Sequence, residues 1–313
     1  MQQISVLIAA YNAESFIHRA IESLLQQSVL PFEIIIVNDC SSDNTKSVVE
    51  KIGAKSDLIK IIDLTKNGGP ARARNAGIKC AQGSWIAILD ADDAVESNYI
   101  ETLLETANNS DADILATNFC WFDVHKNTPN ELGLDLKEEQ ILINKYQFVN
   151  GARPFCDEAD YGLLKPVFRA EFLCQKEVYY PENLRHGEDF MIMMEALLVG
   201  ARYLVIKKPL YLYTTRSSGM SKTVTAYKKM AHATLTFLKH SAVAGDEKMI
   251  SLIKQRALSL RKLDAWMKFN EDRNGSNFFN LMFRSASDVN YASYLFGDVR
   301  KKALHKLRKF DFR

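Results

Sequence analysis

Residues 84–93 read Ser84-Trp85-Ile86-Ala87-Ile88-Leu89-Asp90-Ala91-Asp92-Asp93. Five consecutive apolar residues after Gly83 suit a strand covered on both faces of a sheet. That strand runs straight into three carboxylates within four positions. Such charges repel one another, so ordering them beside an apolar strand requires a cation or hydrogen-bond donors. A divalent metal is the simplest remedy, and oxygen ligands at this density suit Mg²⁺ or Mn²⁺ bridging to substrate phosphates. The alternative is a solvated acidic turn in which Asp93 caps the next helix.

Working outward, three further strand candidates precede this one. Ile4 to Ala9 ends at Tyr11-Asn12, after which Ile17, Ala20, Ile21, Leu24 and Leu25 fall at helical spacing, with Asn12 as the expected cap. Phe32 to Val37 leads into Asn38-Asp39-Cys40-Ser41-Ser42-Asp43 and a helix through Val48, Val49 and Ile52. Leu58 to Leu64 leads into Lys66-Asn67-Gly68-Gly69-Pro70 and a helix holding Ala71 to Ala81. Strands alternating with helices in this way predict a parallel α/β sheet with right-handed connections. Ligands of such sheets sit beyond the carboxyl ends of the strands, where every polar cluster so far lies.

The loops carry chemistry of their own. Asp39 can accept a hydrogen bond from a ring N–H of a base, or can serve its own loop, while Ser41 and Ser42 are expected to cap the following helix. Gly68 and Gly69 allow backbone conformations closed to other residues, and Pro70 suits a first helical position. Arg72 and Arg74 then fall near the first turn, where the helix dipole disfavours cations, so each needs an anion: a bound phosphate or a nearby Asp. No GxGxxG follows a strand and no GxxxxGK[ST] occurs, which argues against a dinucleotide site and excludes a P-loop.

Composition bounds the rest. At 313 residues, with 47% hydrophobic and 25% charged residues, the chain is an ordinary globular protein able to bury a sizeable core. Five scattered cysteines without a CxxC pair predict reduced thiols in a cytoplasmic compartment rather than a disulfide or zinc framework. MQQISVLIAA lacks the basic flank and long apolar core of a signal peptide, and no run approaches 18 apolar residues, so neither a membrane span nor an export signal is expected. The net charge of +2 divides into about −8 before Thr223 and about +10 after it. An acidic front is a poor binder of nucleic acid, and none is expected as a partner.

The order of VLIAAYNAESFI, NDCSSDNT, NGGPARARNAG and LDADD closely resembles glycosyltransferase family 2, whose members have the GT-A fold and transfer sugars from nucleotide-sugar donors with inversion. The likeness spans residues 3 to about 120 and resumes from Pro166 to Ser221. It implies a mostly parallel α/β sheet flanked by helices. It also implies that Ala10, Tyr11 and Glu14 line the nucleotide pocket and that Asp39 pairs with uracil, although Asn38-Asp39 stands where the family often has two acids. Asn67, Arg74 and Asn75 match the block framing the donor, and Arg72 is the arginine expected to reach it. Asp90, with Ala91, faces the ribose, and Asp92 coordinates the metal that bridges the donor diphosphate.

Farther along, His186-Gly187-Glu188-Asp189-Phe190 precedes Met191, Met194, Leu197 and Leu198 on a helix, so plain helix capping is one reading of the two acids. The block also matches the family's GEDF-type motif, whose aspartate faces the acceptor hydroxyl. A sugar hydroxyl is a poor nucleophile, and a positioned carboxylate that takes its proton accelerates attack by about 10²–10⁴-fold. Asp189 is therefore the candidate base, Glu188 orients it or binds an acceptor hydroxyl, and His186 is an acceptor contact or an alternative base. Tyr211 to Ser221 resembles the family's late YxYR block, which makes Arg216 a diphosphate contact; an exposed loop arginine is the competing view.

Residues 121–160 read mainly as loop, with a short helix at Lys145 to Val149, and are expected near the acceptor. From Thr223 the pattern becomes helical. Residues 1–222 are thus expected to form the catalytic domain, with a nucleotide-sugar half at about 1–120 and an acceptor half at about 121–222, and 223–313 a helical extension. Seven Lys or Arg within 300–313, mixed with Leu and Phe, read as an interfacial helix attracted to anionic lipid on the inner face of the plasma membrane, or as a solvated helical end. The expected function is metal-dependent transfer of a sugar, from a UDP-sugar, to a saccharide or lipid-linked saccharide in cell-surface polysaccharide assembly. A non-catalytic sugar-nucleotide-binding module is the alternative, disfavoured because such a module needs no general base.

Overall fold

The computed structural model describes residues 2–124, 126, 128–215, 226–274 and 290. Arg216, the expected boundary at 222/223, a final helix at 291–310 and the basic tail 300–313 lie outside these residues.

The apolar runs become strands in chain order, and each of the first three is followed by a helix. They are β1 (Ile4–Ala10), α1 (Ile17–Leu25), β2 (Glu33–Asn38), α2 (Thr45–Gly53), β3 (Ile59–Asp63), α3 (Pro70–Cys80) and β4 (Trp85–Asp90). A two-residue strand β5 (Ala94–Val95), α4 (Tyr99–Asn108) and a long β6 (Ile114–Asp123) come next. Then follow β7 (Thr128–Leu132), β8 (Gln140–Ile143), α5 (Lys145–Gly151), β9 (Val167–Arg169), α6 (Ala170–Lys176), α7 (Glu188–Leu198) and β10 (Tyr203–Thr215). The last helices are α8 (Tyr227–Thr236) and α9 (Glu247–Asn274).

The main path of the sheet runs β3-β2-β1-β4-β9-β6-β10-β5, with β7 paired to β6 and β8 to β10. Its β3-β2-β1-β4 side is parallel throughout, as the alternating pattern requires. Past β4 the sheet is mixed: β9 is antiparallel to both β4 and β6, and β10 is parallel to β6 but antiparallel to β5 and β8. Strands β1, β2 and β4 are buried on both faces, which is why their sequences are continuous apolar runs. The strand β7 was not foreseen, because all five of its residues are exposed and TPNEL has no apolar alternation.

Several expected caps serve other ends. Ser41 Oγ accepts from the Asn12 N–H, and Ser42 donates from both N and Oγ to Asn12 Oδ1, so these residues tie the first loop to the second instead of capping helices. Asp43 takes the role at α2, its carboxylate accepting from the Thr45 backbone at 3.0 Å. At α4 the N-cap is Asn98.

The chain divides into two compact units, 1–145 with 161–215, and 146–160 with 216–313. The first holds the sheet and all the described candidate residues. In the second, Ala231 of α8 packs with Ala257 and Leu260 of α9, and Tyr146 of α5 donates to Asp246 at 2.8 Å. The five cysteines are unbridged. Among the described residues no helix is long and apolar enough to cross a membrane.

Candidate active site

The parallel strands deliver their carboxyl ends to one edge. Register pairs Ala9 with Asp90 and Ala10 with Asn38, so the loops after β1, β2 and β4 start side by side.

At the first two loops the expected base-binding residues form a network of their own. Asp39 is buried, and its carboxylate accepts from Asn67 Nδ2 at 3.0 Å, Gly68 N at 2.9 Å and Gly69 N at 2.7 Å, while its own N–H donates to the Ala10 carbonyl. A carboxylate offers about four lone-pair sites, so the loop takes three of those available to Asp39. Gly69 is the N-cap of α3 at φ 86°, left-handed geometry that glycine adopts without strain. Arg72 lies over Gly68, where a Cβ would meet its Cδ at 2.2 Å. Glu14 accepts from the Asn44 N–H at 2.8 Å, and Tyr11 is 53% exposed at the end of β1.

The second cluster joins residues more than a hundred positions apart. Arg74, 5% exposed, donates from Nη2 to Asp90 Oδ1 and from Nη1 to Glu188 Oε1 and Asp189 Oδ1, each at 2.9 Å. Its guanidinium also lies 5.2 Å from the centre of the Tyr180 ring. The anion that this arginine needs near its helix start is thus supplied by side chains. Lys165, 8% exposed, closes the cluster, its Nζ 2.7 Å from Asp90 Oδ2 and 3.2 Å from Asp189 Oδ2.

Sequence reasoning passed over Lys165, because a lone lysine in GLLKPVF has no motif spacing. Asn75, expected at the donor pocket, holds the 180–182 segment: it donates to the Tyr180 carbonyl and Glu182 Oε1, and accepts from the Tyr180 N–H. His186 is half-buried just ahead of α7, and Gly187 caps that helix at φ 80°.

Charge states follow from these contacts. Burial alone would raise the pKa of Asp90, yet Lys165 and Arg74 hold it far below the ordinary carboxylate range. Glu188 is raised, by burial first and then by the adjacent Asp189 charge. Burial opposes the charged forms of Arg74 and Lys165, but the surrounding carboxylates outweigh it and raise both.

Asp93 plays a different part from Asp90 and Asp92. It is 2% exposed, accepts from Tyr211 Oη and from Thr214 N, each at 2.8 Å, and so clamps β10 to the end of β4. The same Tyr211 hydroxyl accepts from the Asp90 N–H. Burial and then the Asp90 charge push the Asp93 carboxyl up to about 7. The Asp92 carbonyl accepts from Arg19 Nη2 at 2.9 Å and from the Thr214 hydroxyl, and Arg19 stacks on Phe122.

Each of Asp90, Asp92 and Asp93 offers a carboxylate oxygen within 4.8 Å of the others, a hard oxygen set of the kind Mg²⁺ or Mn²⁺ takes. Asp90 faces two cations, Asp93 holds β10, and Asp92 is half-buried beside them.

A mixed sheet with a parallel βα half, an acidic turn after its fourth strand and a second acid pair brought to that turn defines a glycosyltransferase of the GT-A fold. The chain belongs to Glycosyl transferase family 2, whose sequence pattern matches residues 5–163. It is 33% identical over 247 residues to the succinoglycan biosynthesis protein ExoO of Rhizobium meliloti (strain 1021), covering 77% of this chain and 70% of that one. It is 28% identical over 222 residues to the poly(ribitol-phosphate) beta-N-acetylglucosaminyltransferase TarS of Staphylococcus aureus (strain Mu50 / ATCC 700699), covering 70% of this chain and 36% of that one. The crystal structure of S. aureus TarS 1-349 in complex with UDP-GlcNAc superposes with a TM-score of 0.65 at 23% identity, covering 81% of this chain and 72% of that one.

Proposed function

We propose that this glycosyltransferase is inverting and metal-dependent, and that it moves a sugar from a UDP-sugar to a hydroxyl of a saccharide or lipid-linked saccharide during assembly of a cell-surface polysaccharide. The observation that carries this reading is the pairing of Asp189 with Asp90 through two shared cations, which brings the Asp189 carboxylate beside the acidic turn at the end of β4. The UDP donor is supported by the UDP-GlcNAc complex of TarS, and the polysaccharide setting by the name of ExoO.

In this reading the loops at 10–14 and 39 and the start of α3 hold the nucleotide, Asp90 the ribose, and Asp92 the divalent ion. Mg²⁺ or Mn²⁺, when bound, supplies Lewis-acid stabilisation of the departing diphosphate. Asp189 accepts the acceptor hydroxyl proton as that oxygen bonds to the anomeric carbon. The carbon–phosphate oxygen bond breaks with its electron pair on UDP, and the configuration inverts. Glu188, its pKa raised by burial and by the Asp189 charge, orients the base or the acceptor, with His186 beside it.

Residues 1–222 form the catalytic part and 223–313 the extension, Arg216 meets the diphosphate, and the basic tail places the enzyme on the inner membrane face. A thermal-shift screen of UDP-sugars with and without Mn²⁺, followed by assay of UDP release, tests the proposal. Stabilisation by at least one donor that depends on the ion is expected, because a ligand that binds only the folded state stabilises it by mass action. No stabilisation by any UDP-sugar or by UDP refutes it.

A further inference from the structure

Arg74 alone already bridges Asp90 to Asp189, using one oxygen of each acid. Lys165 bridges the same pair a second time through the other two oxygens, closing a four-membered ring of charges at a site where its side chain is 8% exposed. Taking an ammonium out of water is costly, and a second tether adds little to fold stability that an apolar side chain would not supply. Its two arms also differ, 2.7 Å to Asp90 Oδ2 and 3.2 Å to Asp189 Oδ2. The cation is anchored on Asp90 and holds Asp189 lightly. Since Asp189 Oδ1 lies against Arg74, which Glu188 also engages, Oδ2 is the oxygen left to receive a proton, and it is the one Lys165 touches.

We propose that Lys165 is a positioning residue for the transfer step: anchored on Asp90, it aims Asp189 Oδ2 at the acceptor hydroxyl. The proposal rests on the assignment of Asp189 as the base. Besides Lys165, the groups around Asp189 are Arg74 of α3, Glu188 of its own helix, Tyr180 of the preceding segment, Asp90 at the end of β4 and Tyr213 of β10.

A misaligned base lowers turnover by about 100-fold, so kcat for UDP release from the UDP-sugar that stabilises the wild type should fall by that order in Lys165→Met and recover in part in Lys165→Arg. Calorimetric affinity for UDP with Mn²⁺ should change less than threefold, about the margin of an unaltered site.

An unchanged kcat in Lys165→Met overturns the proposal, and so does loss of UDP affinity in step with kcat, which would make Lys165 a donor ligand. Lys165→Gln, a neutral side chain that still donates a hydrogen bond, takes the same measurements if the methionine variant does not fold. Turnover retained in Asp189→Asn strikes the base assignment itself and is read separately from the Lys165 variants.

Discussion

Replacing Arg74 with Met should produce an instability that grows with pH. Three carboxylates lean on this one guanidinium, and Glu188 is the one for which Lys165 gives no direct contact in compensation. With the arginine gone, Glu188 either stays charged in a buried setting, at about 3–5 kcal/mol, or takes up a proton. A carboxyl of ordinary pKa near 4.3 is neutralised at pH 7 for about 3.7 kcal/mol, and at pH 5 for about 1 kcal/mol. The variant therefore holds Glu188 protonated, with its folded pKa above the unfolded value. Stability from that proton is full below the unfolded pKa and is lost as pH rises through the folded one.

Urea unfolding of wild type and Arg74→Met at pH 5 and pH 7 reads the difference directly. Because burial and the Asp189 charge already raise Glu188 in the wild type, the deficit should be at most about 1 kcal/mol at pH 5 and larger, up to about 3–4 kcal/mol, at pH 7, with equal m-values. A deficit that does not change with pH would refute the charge argument and assign the loss to packing against the Tyr180 ring.

Asp189→Asn should leave UDP and Mn²⁺ binding near wild type while lowering transfer by about 10²–10⁴-fold; retained turnover would move the base elsewhere. Asp92→Ala should weaken ion-dependent UDP binding, and calorimetry showing undiminished affinity would remove the metal assignment. Glu33, buried at the start of β2, accepts from Ser5 Oγ at 2.6 Å and Gln82 N at 2.7 Å and pairs with Lys60, contacts that together outweigh burial and lower its pKa. That lowering stabilises the fold above the unfolded pKa of about 4.3 and fades as pH falls through the folded value. Glu33→Gln should thus be less stable by about 1–3 kcal/mol at pH 7, with the gap closing below about pH 4; a gap equal at both would refute the linkage.

The parallel half of the fold was legible because a strand buried on both faces must be apolar throughout, as in Ile34-Ile35-Ile36-Val37, and because each run stops at a polar loop. The acid pairs were legible because carboxylates at a strand end or a helix start stand out against what precedes them. Lys165 was not, since a lysine in a loop is solvated by default and only the folded chain shows it buried among acids. Asp93 looked like a third ligand or a helix cap, and its partners Tyr211 and Thr214 lie some 120 positions away, beyond any local pattern. The grouping of 146–160 with the C-terminal unit likewise has no local signal, because it is a matter of contacts alone.

The three-residue strand β9 has a consequence for how such enzymes can be recombined. Among the described residues it is the one strand that joins β4 to β6, with Phe168 opposite both Ile86 and Ile114. It begins two residues after Lys165. A chimera that takes β1–β4 from one relative and β6–β10 from another must therefore inherit 165–169 as a single graft with the β4 it pairs to. Cut inside that segment, each parent would contribute a sound half-sheet, and the spacing between Asp90 and Asp189 that Lys165 spans would belong to neither.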